Sequence, residues 1–496
     1  MPSMLDIDPQ EIRVCATCIG EPFLRAHIKK TGTRSTCHYC EETHACFTLE
    51  EVCDLTEQAV NSHFFRTSDE PSDREFAMIK YCDHEWYRSG DPISEVIGYL
   101  LETTQSVACD IQQLLEEKYS HYDEAGLETD FASDSCYAER GKVSTECLDS
   151  MWATFVTSLK QEARYINNTV KTTLDSIFRG LDTLQTGGER TVITEGGPGT
   201  DIAHLYRARW SRNHNELEQF ITIPDRELGP PPHQFSGANR MSPRGISVFY
   251  GASSVDTAIS EIRPPVGCHV VSAKFNIIRP LRLLNLPALK DILDTGSMLD
   301  PEYIVRREQA TFLKTLTNWI VKPVLPGEED FSYIPTQVIA EYLADSEQLN
   351  LDGILYPSVQ LDGSLVGENY NVVLFKKASR VNLMALPALK DCLINFVRQC
   401  DEDEWEMDIC VTEMVDMADI SPPHDMDWDD LSPETNDSRE PSLEIDLSSV
   451  CVHHIEAARF EYSTDIVSRN KHVFHSPPSA DSSPRDFGAP PDDFPF

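Results

Sequence analysis

The chain of 496 residues is too long for one ordinary domain and predicts two or three folded units. Its formal net charge of -40, from 42 Lys and Arg against 82 Asp and Glu, disfavours general nucleic-acid binding, although a local basic pocket remains compatible with it because distant charges are screened beyond about 8 to 10 Å. Apolar residues make up 40% and charged residues 25%, a globular balance, while 31 prolines predict long irregular segments as well.

The first residues, MPSMLDIDPQEIRV, lack the charged-then-apolar pattern of a secretory leader, and no run approaches the roughly 18 apolar residues of a membrane span. The expectation is a cytoplasmic protein with no membrane partner, its 15 scattered cysteines held as reduced thiols.

In chain order, residues 10–47 carry "CATC" at Cys15 and Cys18 and "CHYC" at Cys37 and Cys40. Two Cys-x-x-Cys knuckles at this spacing can bring four thiolates around one tetrahedral Zn2+, a closed and therefore structural site. Cys46 and His44 lie close enough in sequence to replace one ligand.

Residues 48–185 read as a helical bundle. "DPISEVIGYLLETTQSVACDIQQLLEEKY" offers Asp91 as N-cap, Pro92 at the first helical position, and Ile93, Val96, Ile97, Leu100 and Leu101 on one face. "CLDSMWATFVTSLKQEARYINNTVKTTLDSIF" repeats the pattern with Leu148, Trp152, Phe155, Leu159, Ile166, Val170, Leu174 and Ile177. An Arg-x(4-6)-His ribonuclease motif is absent from the bundle: Arg164 is followed by "YINNTVK", and the spacing from Arg207 or Arg209 to His214 lies outside it.

"TGGERTVITEGGPGT", within 186–202, reads as a linker. Beyond it, short apolar runs ("AHLYRARW", "ISVFYGA", "CHVVSAKFNI", "DGILYPSV") alternate with helical pieces ("REQATFLKTLTNWIV", "TQVIAEYLADS"), so the fold class is multidomain α+β with a mixed α/β domain over 203–472. ISVF predicts a strand ending at Tyr250, and DTAISE a helix returning Glu261 toward it. Residues 401–447 read as an acidic, mobile insertion before a last hairpin, and 473–496 as a disordered tail.

Four stretches of this second half fit together: "LYRAR", "GANRMSPRGISVFYGASSVDTAISEIRP", "DFSYIPTQVIAEY" and "DGILYPSVQLDGSLVGENYNVVLF". In motif order and spacing the ensemble resembles the RES family. Arg240, Tyr250 and Glu261 sit at intervals of ten and eleven, Ser358 occupies the "YPS" position, and Asn371 follows. The N-terminal half is similar to the zinc-knuckle and HEPN-type helical domain found ahead of some RES domains, through its paired knuckles and "MWATFVTSLKQEARY".

The resemblance implies an ADP-ribosyltransferase-like fold and an enzyme acting on NAD+: a toxin that hydrolyses or phosphorolyses it, or transfers ADP-ribose to a protein, with an antitoxin as partner. The residue types suit that chemistry. Nicotinamide departs as a neutral ring, so no general acid is needed, in contrast to ordinary glycosides. A lone Glu261 can stabilise the ribosyl cation or orient its 2'-hydroxyl, and Tyr250 can stack on nicotinamide. Arg207 and Arg240, with Arg209 as alternative to Arg207, are the candidates for the two phosphate charges, and Ser358 can donate to phosphate or to the amide. Where the family carries glycine and asparagine around the arginine, "ANRMSP" has Asn239 and Ser242, a departure that implies an altered loop toward the phosphates and a reduced or redirected activity. His233, in a loop, is not assigned to the site. Two rival readings are a protein ADP-ribosyltransferase and a non-catalytic interaction module with a vestigial RES domain.

Overall fold

The computed structural model describes residues 8–82, 85–120, 129–141, 143–162, 164, 167–187, 190–293, 295–322, 324–325, 327–358, 369–396, 398–399, 405–406, 409–414, 437–459, 463–469 and 471. Residues 1–455 form one compact unit. Residues 456–496 form another, in which no described residue belongs to a helix or strand. The tail expected over 473–496 and Ile166 of the second apolar stripe lie outside the described residues, as does most of the acidic insertion.

The chain starts with β1 (Arg13–Cys15), α1 (Pro22–Thr31), β2 (Thr33–Thr36) and β3 (Thr43–Thr48), whose strands form an antiparallel sheet in the order β1-β3-β2. Helix α2 (Leu49–His63) follows directly, started by a capping box in which the Thr48 hydroxyl accepts from the Glu51 N–H and the Glu51 carboxylate accepts from the Thr48 N–H. Next come β4 (Phe64–Arg66), α3 (Asp73–Cys82), β5 (Asp91–Pro92), α4 (Ile93–Leu101), α5 (Gln105–Tyr119) and β6 (Cys136–Glu139), with the strands ordered β4-β6-β5.

All five residues of the first apolar stripe are buried on α4. The long helix expected from Asp91 is however two helices, and Pro92 takes the N-cap position while Asp91 pairs in β5. The break falls at Glu102, which turns left-handed (φ 47°) where the first cysteine knuckle docks: the Gly20 N–H donates to the Leu101 and Glu102 carbonyls, and the Thr103 hydroxyl to the Cys18 carbonyl.

The second helical segment is likewise split, into α6 (Glu146–Gln161) and α7 (Asn168–Ile177), the latter capped by the Asn167 side chain accepting from the Val170 N–H. Its stripe does not pack on the first. Ile12, Leu24, Val52, Ile97 and Ile111 share a core with one another and with Leu299. Phe155, Leu159, Val170, Leu174 and Ile177 share a different core with Leu284, Phe312, Leu316, Ile339, Ile354 and Val373. The expected single bundle is therefore two layers serving two cores.

After a short pair, β7 (Gln185–Thr186) with β8 (Arg190–Thr191), the large sheet begins with β9 (Ile193–Gly196). It continues through β10 (His204–Ser211), α8 (His214–Thr222), α9 (Pro224–Glu227), β11 (Phe249–Ala252), α10 (Val255–Ile262), β12 (His269–Ile277), β13 (Leu281–Asn285), α11 (Pro301–Val321), α12 (Glu329–Ser332), α13 (Ile334–Asp345), β14 (Gly353–Pro357), β15 (Tyr370–Leu374) and β16 (Val381–Asn382). Two small pairs follow, β17 (Cys392–Asn395) with β20 (Cys410–Glu413) and, between them, β18 (Arg398–Gln399) with β19 (Trp405–Glu406). Last comes β21 (Leu443–His454). The stretch read as a linker thus supplies an edge strand, because the β-branched run Thr191–Thr194 outweighs the flanking glycines. The expected terminal hairpin is one long strand, which begins inside the stretch read as insertion.

The sheet order is β16-β21-β12-β10-β11-β15-β14-β13-β9. It is mixed, with β13–β14 and β16–β21 parallel. Its halves are joined by little: β10 pairs β12 along its whole length but meets β11 at a single position, Tyr206 opposite Ala252. Gly251 permits that approach, since a Cβ there would lie 2.8 Å from Leu205 Cβ. Beyond the junction the two strands diverge and leave a cleft.

Because Phe155 on α6 is fully buried in the core under the sheet, Phe155→Ala should destabilise the sheet domain by about 3–5 kcal/mol. Denaturant unfolding of wild type and variant measures this directly.

Candidate active site

Strand β11 places Tyr250 and Ala252 on the face toward α10 and α11, and sends Phe249 into the opposite core with Leu205 and Phe275. Strand β15 sets Val373 opposite Tyr250 and Asn371 opposite Ala252, and β14 sets Tyr356 opposite Asn371. Tyr250 lies within β11 and not at its end as expected, because Ile246, Ser247 and Val248 precede the paired segment.

Helix α10 begins at a Ser254 N-cap, which accepts from the Thr257 N–H, and packs Ala258 and Ile262 against Ala208 and Val270. That packing carries Glu261 to the cleft. Its Oε1 accepts from Ser358 Oγ at 2.8 Å and from Asn371 Nδ2 at 2.7 Å. Its Oε2 has no hydrogen-bond partner among the described residues. A carboxylate pinned through one oxygen by two neutral donors presents the other oxygen to a ligand.

Tyr250 is held at both ends. Its carbonyl, unpaired where β10 and β11 diverge, accepts from Arg207 Nη1 at 2.8 Å, and its hydroxyl accepts from the Met241 N–H at 3.1 Å. Burial pushes its phenol up to about 12, outweighing the Ser242 hydroxyl and the Met241 N–H beside it, so the ring stays neutral at physiological pH. Burial also raises the neighbouring Tyr356 well above the ordinary phenol value.

The arginines are tethered. Arg207 lies 4.9 Å over the Phe249 ring, and burial, then the Arg209 charge, lowers its pKa from the ordinary value. Arg209 donates to the Gly229 carbonyl at 2.8 Å. Arg240 Nη1 donates to the Ile320 and Lys322 carbonyls at the C-terminal end of α11, 2.8 Å each, with its guanidinium 5.0 Å above the Tyr333 ring. The loop before it is fixed by α13: the Thr336 hydroxyl donates to the Arg240 carbonyl and Gln337 Nε2 to the Asn239 carbonyl. The Asn239 side chain itself is exposed, its amide donating to the Gly237 carbonyl at 3.2 Å.

These residues line a cavity of about 480 Å³, within the range of small-molecule sites. Its lining includes Arg207, Arg209, Arg240 and Arg263 against Glu261 and Glu329, four cations to two anions in a chain of net charge -40. Tyr250, Tyr333 and Tyr356 supply aromatic walls. Sequence reasoning assigned Glu261, Tyr250, Arg240, Ser358, Asn371, Arg207 and Arg209 to one site. The first five surround one cleft face, with Ser358 reaching it through Glu261, whereas the two β10 arginines enter at the splayed junction. It passed over Tyr333, Tyr356, Glu329 and Arg263, although Tyr333 stands in "DFSYIP" and Arg263 two residues after Glu261. His233 is exposed and outside the lining.

A second constellation lies in the N-terminal module. The sulfurs of Cys15, Cys18, Cys37 and Cys40 all lie within 4.8 Å of one another, with Cys15 Sγ 3.6 Å from Cys18 Sγ and 3.5 Å from Cys40 Sγ. The group can hold a metal ion. Each knuckle is a tight turn, the Cys18 N–H donating to the Cys15 carbonyl and the Glu41 N–H, at a left-handed residue (φ 62°), to the Cys37 carbonyl. His38 Nδ1 accepts from the Arg13 N–H, and the Tyr39 hydroxyl donates to Asp110 on α5. Neither alternative ligand joins: the Cys46 thiol points to the Ser35 and His44 carbonyls, and His44 pairs with Glu42.

With both sites in view, comparison with known proteins identifies the domain around the cleft. Residues 204–390 match the RES domain family, and the chain carries a RES domain there. That span contains β10, β11, α10, α11, α13, β14 and β15, and so every element that forms the cleft. No curated protein and no solved structure matches the chain. Among the described residues no helix is long and apolar enough to cross a membrane.

Metal analysis of the purified protein should find one tetrahedral divalent ion per chain. Cys37→Ser should release it and lower the thermal midpoint; a chain with full stability and no metal would show that the four thiols act without one.

Proposed function

We propose that the RES domain cleaves the bond between nicotinamide and ribose in NAD+, depleting it in the manner of a toxin, within an ADP-ribosyltransferase-like fold. The observation that carries this reading is the Glu261 carboxylate, fixed through Oε1 by Ser358 and Asn371 with no partner on Oε2 among the described residues, on the wall of a cleft whose charged lining is mainly arginine.

The bond from the ribose C1' to the nicotinamide nitrogen breaks heterolytically, and its electron pair neutralises the departing pyridinium. Positive charge is left on the ribose C1' and ring oxygen. Glu261 Oε2 stabilises that charge or accepts the hydrogen bond of the 2'-hydroxyl, at a geometry already fixed by the two donors on Oε1. Tyr250, locked at its carbonyl and hydroxyl, offers a ring for the nicotinamide to stack on. Arg240 and, across the splayed junction, Arg207 direct their remaining guanidinium N–H groups to the diphosphate. Capture of C1' by water gives ADP-ribose with loss of a proton, and capture by phosphate gives ADP-ribose 1-phosphate.

The four cysteines bind Zn2+ structurally in this reading, and the zinc-knuckle and helical parts act as the platform on which the RES domain is built. An antitoxin that covers the cleft is the partner the reading implies.

Wild-type protein incubated with NAD+, with and without phosphate, should release nicotinamide resolvable by chromatography. Glu261→Gln should lower that rate by a factor on the order of 10² to 10³ with NAD+ affinity retained. Ser358→Ala and Asn371→Ala should each cost about tenfold or more by loosening the carboxylate. Intact NAD+ after long incubation with folded wild type sinks the proposal.

A further inference from the structure

Arg263 ends α10 two residues after Glu261 and lines the same cavity. Its backbone is left-handed, φ 44° and ψ 61°, a conformation that glycine adopts without strain and arginine does not. It also precedes Pro264, and a residue before proline favours extended backbone. An arginine thus stands where neither local preference suits it.

The other three cations of the lining are committed to backbone carbonyls: Arg207 to Tyr250, Arg209 to Gly229, Arg240 to Ile320 and Lys322. Arg263 is exposed, and its guanidinium has no hydrogen bond or ion pair among the described residues. In a chain of net charge -40 a guanidinium at the edge of a cavity, paired with no carboxylate among the described residues, is the group most available to an incoming anion.

We propose that Arg263 is the principal diphosphate anchor of this cavity, a specificity residue that takes a nucleoside diphosphate moiety in bidentate fashion, to which Arg207 and Arg240, already tied to backbone carbonyls, add only their remaining N–H groups. The assignment rests on the dinucleotide reading above for its substrate but not for its anion. Two parallel N–H donors match two phosphate oxygens, and the fixed backbone stub limits the arc over which the side chain swings.

The test is calorimetric titration of the full-length chain with ADP, beside the kinetics of nicotinamide release from NAD+, for wild type, Arg263→Gly and Arg263→Lys. Glycine suits the left-handed backbone, so the variant removes the guanidinium without threatening the fold. The expected result is ADP affinity and the KM for NAD+ weakened by about 10- to 100-fold in Arg263→Gly, kcat changed by less than about threefold, and partial recovery in Arg263→Lys. Unchanged ADP affinity in Arg263→Gly, or no binding of ADP by wild type, overturns the anchor. A fall in kcat equal to the fall in kcat/KM also overturns it, by showing a role in the transition state and not in holding the diphosphate. If wild type binds ADP and Arg263→Gly does not, while NAD+ stays intact with both, the anchor stands and the cleavage reading fails.

Discussion

The pairing of β11 with β15 is the constraint on which the site depends. It sets Tyr250 beside Val373 and Ala252 beside Asn371, and Asn371 is one of the two donors on Glu261. Side chains alternate across a strand, so a slip of one residue would send Tyr250 and Asn371 into the core occupied by Phe249, Val372 and Leu374, and deliver those apolar residues to the cleft. Burial on both faces of the sheet makes the register, and with it the carboxylate geometry, costly to change.

The second organising term is electrostatic. An acidic chain concentrates four arginines around one cavity and prevents most of them from collapsing onto nearby carboxylates by giving them backbone carbonyls instead. A carbonyl satisfies part of a guanidinium without neutralising it. The cleft therefore retains positive potential despite the surrounding charge, and the opening between β10 and β11 exposes that potential at the point where the sheet is least continuous.

Much of this was legible in the sequence because it is local. Paired Cys-x-x-Cys turns bring their sulfurs together almost regardless of what surrounds them. The intervals between Arg240, Tyr250, Glu261, Ser358 and Asn371 were enough to nominate a common site, although nothing in one dimension showed that Asn371 and Ser358 share a single oxygen of Glu261. The failures were tertiary. Apolar stripes at helical spacing show that a face is buried but not against what, so α4 and α6 were placed in one bundle although they serve different cores. The glycines around Ile193 masked an edge strand whose register is set by β13. Arg263 drew no assignment from the sequence, because its left-handed backbone and its place on the cavity have no signature in composition.

Helix α11 gives the cleft an unusual frame of reference. At its start, Leu299 and Tyr303 pack beside α2, with the His63 and Tyr303 rings 5.6 Å apart. At its end, the Ile320 and Lys322 carbonyls hold Arg240. Twenty-one residues of α-helix make a rod about 31 Å long. Glu261 and Tyr250 take their coordinates from the sheet, whereas Arg240 takes its own from a beam whose far bearing is the cysteine-bearing module. The two walls of one cavity are thus referenced to different parts of the fold, so the width of the gap between them registers how the cysteine-bearing module is seated on the sheet domain.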